Sequence, residues 1–256
     1  MQAQTDKFEQ LRQGLDVAYF GRQRCGFRCD PHQRDLLRRS TKRTILNCSR
    51  QIGKSTVAAL KAVHMAHFHP GVTVVVTSPT KRQSRELIRK ARTFALLCGS
   101  SRKGGRESVE FKNGSRIIVV AADEDTVRGY SAVALLIVDE AARVHDEVYF
   151  ALLPMLAVSE GAVWLLSTPK GKRGFFYAEW STPDVDSNTE RWAKLKTIAE
   201  ECPRIHPEFL KQQRRRIGER RFMQDYECYF LETAQGMFHP ETVRNAFKET
   251  ISIIDL

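Results

Sequence analysis

Residues 44 to 56 read Thr-Ile-Leu-Asn-Cys-Ser-Arg-Gln-Ile-Gly-Lys-Ser-Thr, and this stretch constrains the fold more than any other. A short β-branched run, Thr44 to Asn47, stops at a polar loop. A helical stretch then opens at Lys54 and continues to about Phe68. A strand, a glycine-bearing loop and a helix in that order place several unpaired helix N–H groups at the end of a sheet, a site built for anions. Residues 48 to 55 match the phosphate-loop pattern G-x-x-x-x-G-K-[ST] except that Cys48 stands in place of the first glycine. Gly53 lets the backbone approach phosphate, Lys54 has the length to reach terminal phosphates, and Ser55 offers a hydroxyl to a divalent cation. Standing alone, the same letters also describe an N-capped helix with an exposed lysine.

The second constraint is the run Leu135-Leu136-Ile137-Val138 leading straight into Asp139-Glu140. A continuous apolar strand belongs inside a parallel sheet covered on both faces. Carboxylates at its C-terminal end sit where open α/β sheets place their ligands. In this chemistry Asp139 holds a metal through water and Glu140 takes a proton from the attacking water. Acids at a helix start also serve as simple caps, but a phosphate loop upstream favours the hydrolytic reading. A third apolar run, Val163 to Leu166, ends in Ser167-Thr168-Pro169, hydroxyls suited to sensing a terminal phosphate beside the acidic pair.

Strand candidates at Val72 to Thr77 and Val109 to Phe111, with Asn113-Gly114 turning into Ile117 to Val120, complete the alternation. A basic helix runs from Lys81 to about Cys98. The pattern predicts a three-layer α/β domain with a mainly parallel central sheet over residues 30–200. Residues 1–29 read as an N-terminal helical segment, with Phe8, Leu11, Leu15 and Tyr19 at helical spacing. Residues 201–256 read as a small C-terminal helical segment.

Composition narrows the partners. The chain carries 41 basic and 30 acidic residues, a formal charge of +11, which favours polyanions. Its longest apolar run, Ala132 to Val138, is too short to cross a bilayer, so no membrane role is expected. The six scattered cysteines lack zinc spacing and read as reduced thiols. Among the basic clusters, Arg102, Lys103 and Arg106 flank a glycine pair in a loop suited to DNA phosphates, though a solvated loop reads equally well. Arg214 to Arg216 read better as a solvated helix face.

Taken together, these motifs resemble the ATPase domain of the large terminase subunit of tailed bacteriophages. Ser49-Arg50-Gln51-Ile52-Gly53-Lys54-Ser55 is similar to that family's variant phosphate loop, which lacks the first glycine. Arg128-Gly129 followed by the strand into Asp139-Glu140 resembles its acidic motif, and Ser167-Thr168-Pro169 its coupling motif. The resemblance implies a P-loop NTPase fold of the RecA-like ASCE type with a helical lid. It implies ATP and Mg2+ as ligands, the ATP held by Gln33, Ser49, Arg50, Gln51, Ile52, Gly53, Lys54, Ser55 and Thr56. Ser55 and Asp139 would hold the metal, and Glu140, Arg50, Arg128 and Thr168 would act in catalysis. Within that set, Gln33 would read adenine, Arg50 would touch the γ-phosphate in the same subunit, and Arg128 would be a finger offered to a neighbour's ATP. Each also has a plainer alternative: a cap for Gln33, a salt bridge or surface charge for the arginines. Double-stranded DNA, the portal protein and the small terminase subunit follow as partners. A homo-oligomeric ring in the host cytoplasm follows as the setting. The family's C-terminal nuclease has no counterpart before Leu256, so no nuclease activity is expected of this chain. A DEAD-like helicase and a non-enzymatic basic DNA-binding adaptor are the competing readings.

Overall fold

A computed structural model of the chain describes residues 2–102, 104–122, 130–183 and 191–232. The helices are α1 (Gln2–Leu15), α2 (Val17–Cys25), α3 (Pro31–Arg39), α4 (Lys54–Phe68), α5 (Lys81–Leu97), α6 (Asp146–Leu152), α7 (Gly174–Ser181), α8 (Pro207–Ile217) and α9 (Glu219–Asp225). The strands are β1 (Arg43–Cys48), β2 (Thr73–Thr77), β3 (Ser101–Arg102), β4 (Ser108–Phe111), β5 (Arg116–Val119), β6 (Val133–Asp139), β7 (Ala162–Ser167) and β8 (Ala193–Thr197). They form one sheet in the order β3-β4-β5-β2-β6-β7-β1-β8. From β5 to β8 the neighbours pair in parallel, while β4 pairs antiparallel with both β3 and β5.

The central strands are apolar throughout because both faces are covered, and their side chains alternate between two cores. Leu135, Ile137, Val74, Val76, Trp164 and Leu166 point to the side packed by α2, α3, α4 and α5. Leu136, Val138, Val75, Val163 and Leu165 point to the opposite side, under α6 and α7. The parity has a functional consequence. Asp139 continues the odd-numbered series of β6, so it emerges on the α4 face, where the helix after the phosphate loop begins.

The expected three-layer, mainly parallel arrangement is what the structure contains. Two local expectations change. The N-terminal segment is two helices rather than one, because the Asp16 side chain accepts the Tyr19 N–H at 2.9 Å and caps a new start. Its stripe therefore stays unpacked: Phe8, Leu11 and Leu15 are 68%, 59% and 79% exposed. Packing falls instead to Val17, Phe20 and Cys25 of α2, which join the core against α4. The second change is β8, a strand that sequence patterning passes over because only Leu195 and Thr197 within it are buried.

After β8 the described residues form α8 and α9 and then an irregular stretch from 226 to 232, and residues 233–256 of the expected C-terminal helical segment lie outside the described residues. Arg214 of α8 pairs with Glu219 and Glu227 and lies over the Phe222 ring, in keeping with a solvated helix face. Two bonds tie this segment to β1 and to the turn after β8: the Cys228 carbonyl accepts from the Asn47 side-chain Nδ2 at 2.9 Å, and the Tyr226 carbonyl from the Ala199 N–H at 2.8 Å.

Candidate active site

The register of β1, β6 and β7 brings their C-terminal ends level, with Asn47 opposite Ser167 and Asp139 opposite Leu166. The loop leaving β1 is held from several directions. The Ser49 N–H donates to the Thr197 carbonyl at 2.9 Å, and the Arg50 N–H to the Asp225 carbonyl at 3.3 Å. Gln51 and Gly53 both take positive φ, 62° and 85°. Gly53 is required at its position. A Cβ there would stand 2.5 Å from the Gln33 side-chain nitrogen and 3.2 Å from an Arg204 guanidinium nitrogen. The Ile52 carbonyl accepts from Gln33 Nε2 at 2.9 Å and from Arg204 at 3.0 Å, with His32 Nε2 also 3.0 Å away. Gln33, only 4% exposed, accepts the Asp30 N–H at 3.0 Å with its other amide atom. The structure thus places Gln33 as a cap on α3 and a clamp on the loop, with both ends of its amide occupied by main chain.

Lys54 and Ser55 open α4 and face the acids. Ser55 Oγ donates to Asp139 Oδ2 at 2.6 Å, and Asp139 Oδ1 accepts the Glu140 N–H at 3.0 Å. Asp139 is 5% exposed, and that burial pushes its carboxyl above the usual range despite the pull of Lys54 and the Ser55 bond. Glu140 takes the left-handed conformation, φ 55° and ψ 40°. A non-glycine residue there stores about 1–3 kcal/mol of strain. The bend sends its carboxylate toward the loop, where Lys54 Nζ lies 2.7 Å from Oε1 and Arg143 Nη1 2.7 Å from Oε2. Burial works against the charge on Lys54, but Cys48, Glu140 and Asp139 around it hold its pKa up at about 12.

The end of β7 completes the cluster. Ser167 Oγ accepts the Ala142 N–H at 3.1 Å, and the Thr168 carbonyl lies 3.5 Å from Arg143 Nη1. The Thr168 hydroxyl is buried with no hydrogen-bond partner among the described residues. An unsatisfied buried hydroxyl costs roughly 1–3 kcal/mol.

The remaining predicted residues divide. Thr56 lies in the first turn of α4, its N–H bonded to the Gly53 carbonyl. Arg50 lies 3.8 Å from Asp225, so the salt-bridge alternative holds for it in this arrangement, although its side chain stays half-exposed. Arg128 and Lys103 lie outside the described residues. Arg102 and Arg106 are exposed at the β3 edge, at the opposite end of the sheet from the phosphate loop. Their loop is no loose connector: Arg102 belongs to β3, and the Arg92 guanidinium donates to the carbonyls of Gly105 and Ser108.

Sequence reasoning missed Arg143, Arg204, His32 and Asp225. Only Arg143 carried a local signal, standing three residues after Glu140 on a 3-10 turn. It also missed that Asp30, His32 and Cys202 gather, one potential metal-ligating atom from each lying within 4.8 Å of the others. Arg204 already occupies the Asp30 carboxylate there, at 2.8 Å.

Comparison with known proteins agrees with this geometry. The family described as "Terminase large subunit, T4likevirus-type, N-terminal" matches residues 45–243. The large terminase subunit of Escherichia phage T5 is 28% identical over 193 residues, covering 71% of this chain and 42% of that protein. The chain therefore spans less than half the length of that relative. Among solved structures, the ATPase domain of the Thermus phage P74-26 large terminase superposes with a TM-score of 0.70 at 21% identity, covering 82% of this chain and 97% of that one. The large terminase of the thermophilic bacteriophage D6E, solved in complex with ADP, gives 0.64 at 13% identity, covering 86% and 53%. At such identities these two likenesses speak for the fold, while the family match spans most of the sequence. With an apolar strand, a phosphate-type loop and a strand-end acidic pair converging as described, the chain belongs to the terminase large subunit family, matching its N-terminal part.

Proposed function

We propose that this chain is the ATP-hydrolysing motor of a viral DNA-packaging machine, coupling hydrolysis of Mg-ATP to movement of double-stranded DNA into a procapsid. The observation that carries the reading is the convergence of Lys54 and Ser55 on Glu140 and Asp139, at 2.7 and 2.6 Å. The loop N–H groups and Lys54 cradle the phosphates, with Ser49, Arg50, Gln51, Ile52, Gly53 and Thr56 forming the wall. Ser55 and Asp139 are hard oxygen donors already in contact, a pair that suits Mg2+. When bound, the ion neutralises charge building on the phosphates.

The Lys54–Glu140 pair suggests how binding arms the site. Phosphate oxygens compete with Glu140 for the lysine, and a carboxylate released from Lys54 is freer to accept a proton from water. Arg143 keeps the other carboxylate oxygen in place, and the Thr168 hydroxyl gains a partner at the terminal phosphate. Gln33 acts through the loop it clamps, and Arg50, half-exposed on that loop, is assigned to the γ-phosphate. Arg128 is assigned to a neighbouring subunit's site in a homo-oligomeric ring. Residues 201–256 serve as a lid over the core. Duplex DNA, portal and small terminase subunit are the partners, and the host cytoplasm is the setting.

ATP hydrolysis by the purified chain, with and without duplex DNA, tests this. Glu140→Gln is expected to slow turnover by about 10²–10⁴-fold, the usual contribution of a general base, while nucleotide still binds. Lys54→Ala should lose nucleotide binding itself. Turnover surviving in Glu140→Gln, or binding lost as completely as turnover, would remove Glu140 from the role of base.

A further inference from the structure

A cleft of about 720 Å³ lies between the phosphate loop, the segment after β7 and α9. Two of its lining residues come directly from the site: Arg50 of the phosphate loop, and Arg143, whose guanidinium holds Glu140. Lys170 and Arg173, after β7, and Arg220 and Arg221, of α9, supply further cations from separate elements. The acids in the wall are already engaged. Asp225 lies 3.8 Å from Arg50 and 3.6 Å from Arg221, Glu232 pairs with Lys172, and Glu219 pairs with Arg214. Lys170 and Arg173 are exposed and have no ion pair among the described residues. Among the described residues the cleft therefore carries an excess of positive charge, and Arg143 joins it to Glu140.

From this we infer that the cleft binds inorganic phosphate and is the route by which that product leaves after hydrolysis. The inference rests on the proposed ATPase activity for its purpose but not for its test. Converging cations in a recess with low-dielectric walls concentrate a small multivalent anion, and guanidinium groups match the oxygen spacing of phosphate. A duplex backbone needs an extended track rather than a recess, so free phosphate is the better occupant. Once the terminal P–O bond is cleaved, the phosphate parts from ADP toward Arg143 and Arg50, and Lys170 and Arg173 draw it to solvent.

The experiment uses the nucleotide-free chain and inorganic phosphate alone, followed by 31P NMR titration. The probe variant is Lys170→Gln/Arg173→Gln, and the control is Arg215→Gln/Arg216→Gln, which removes the same charge from α8 outside the cleft. We expect phosphate affinity to fall about tenfold in the probe variant and to hold in the control. Affinity of both variants for a random duplex, measured by anisotropy at the same salt, should fall alike. In actively hydrolysing protein, product inhibition by phosphate should weaken in parallel. No phosphate binding by the unaltered chain, or equal loss in both variants, overturns the inference. So does intact phosphate binding with duplex affinity lost only in the probe variant, which would make the cleft a nucleic-acid surface. Absence of ATP hydrolysis with phosphate binding intact would sink the motor reading and leave the anion site standing.

Discussion

The phosphate loop and the 102–106 loop are both glycine-bearing and arginine-bearing connections, yet the structure treats them in opposite ways. The first is fixed by main chain from Thr197 and Asp225 and by side chains from Gln33 and Arg204. The second leaves Arg102 and Arg106 in solvent and, among the described residues, is supported by Arg92, by the Ser108 hydroxyl at the Gly105 N–H and by strand pairing of Arg102 with Glu110. A loop that must present N–H groups to phosphate has to be over-determined, since misplacing them by an ångström forfeits the interaction. A loop that meets a polymer's backbone needs only mobile cations. At Gly53 glycine removes a clash and permits positive φ, whereas in the second loop a Cβ at Gly104 would stand 2.9 Å from the Ser108 carbonyl oxygen and one at Gly105 would make an ordinary 3.4 Å contact.

The comparison can be broken at three points. The largest effect is expected from Gly53→Ala, which forces a Cβ onto Gln33 and strains φ. Urea denaturation should show a loss of about 2–4 kcal/mol, together with loss of nucleotide binding. Near-native stability would mean the loop is looser than its bonds imply. Gln33→Ala comes next, at about 1–2 kcal/mol for a cap and a clamp removed, with KM for ATP raised because the loop drifts. Were Gln33 only a nucleotide contact, KM would rise and the denaturation midpoint would stay put. Smallest is Arg102→Ala/Arg106→Ala, expected within about 0.5 kcal/mol of the parent in stability. Its signature lies in DNA binding, where the salt dependence should lose roughly one unit of slope per phosphate contact removed. An unchanged slope would take this loop off the DNA path.

How far the sequence could be read follows from where each contact comes from. The strand, loop and helix from 43 to 68 were legible because periodicity, Gly53 and the polar loop are local signals. The acidic pair was legible because β6 is apolar on both faces up to Asp139. What escaped was tertiary. Arg204 meets Asp30 across 174 positions, and no pattern along the chain announces that. Strand β8 escaped because an edge strand with little buried surface loses the apolar run that marks its neighbours. The helix break at Asp16 is a reminder that a single capping side chain can reset the phase of an apolar stripe.

The Ile52 carbonyl, bonded from both Gln33 and Arg204, has a consequence for how the protein is made. Chains emerge from the ribosome N-terminal end first. The strand and helix flanking residue 52 are thus available long before residue 204, and Asp225, whose carbonyl anchors Arg50, comes later still. The loop after β1 therefore takes its final set of bonds only when those later segments reach it. The contacts that fix residues 50 and 52 thus form only after residues 204 and 225 have been made.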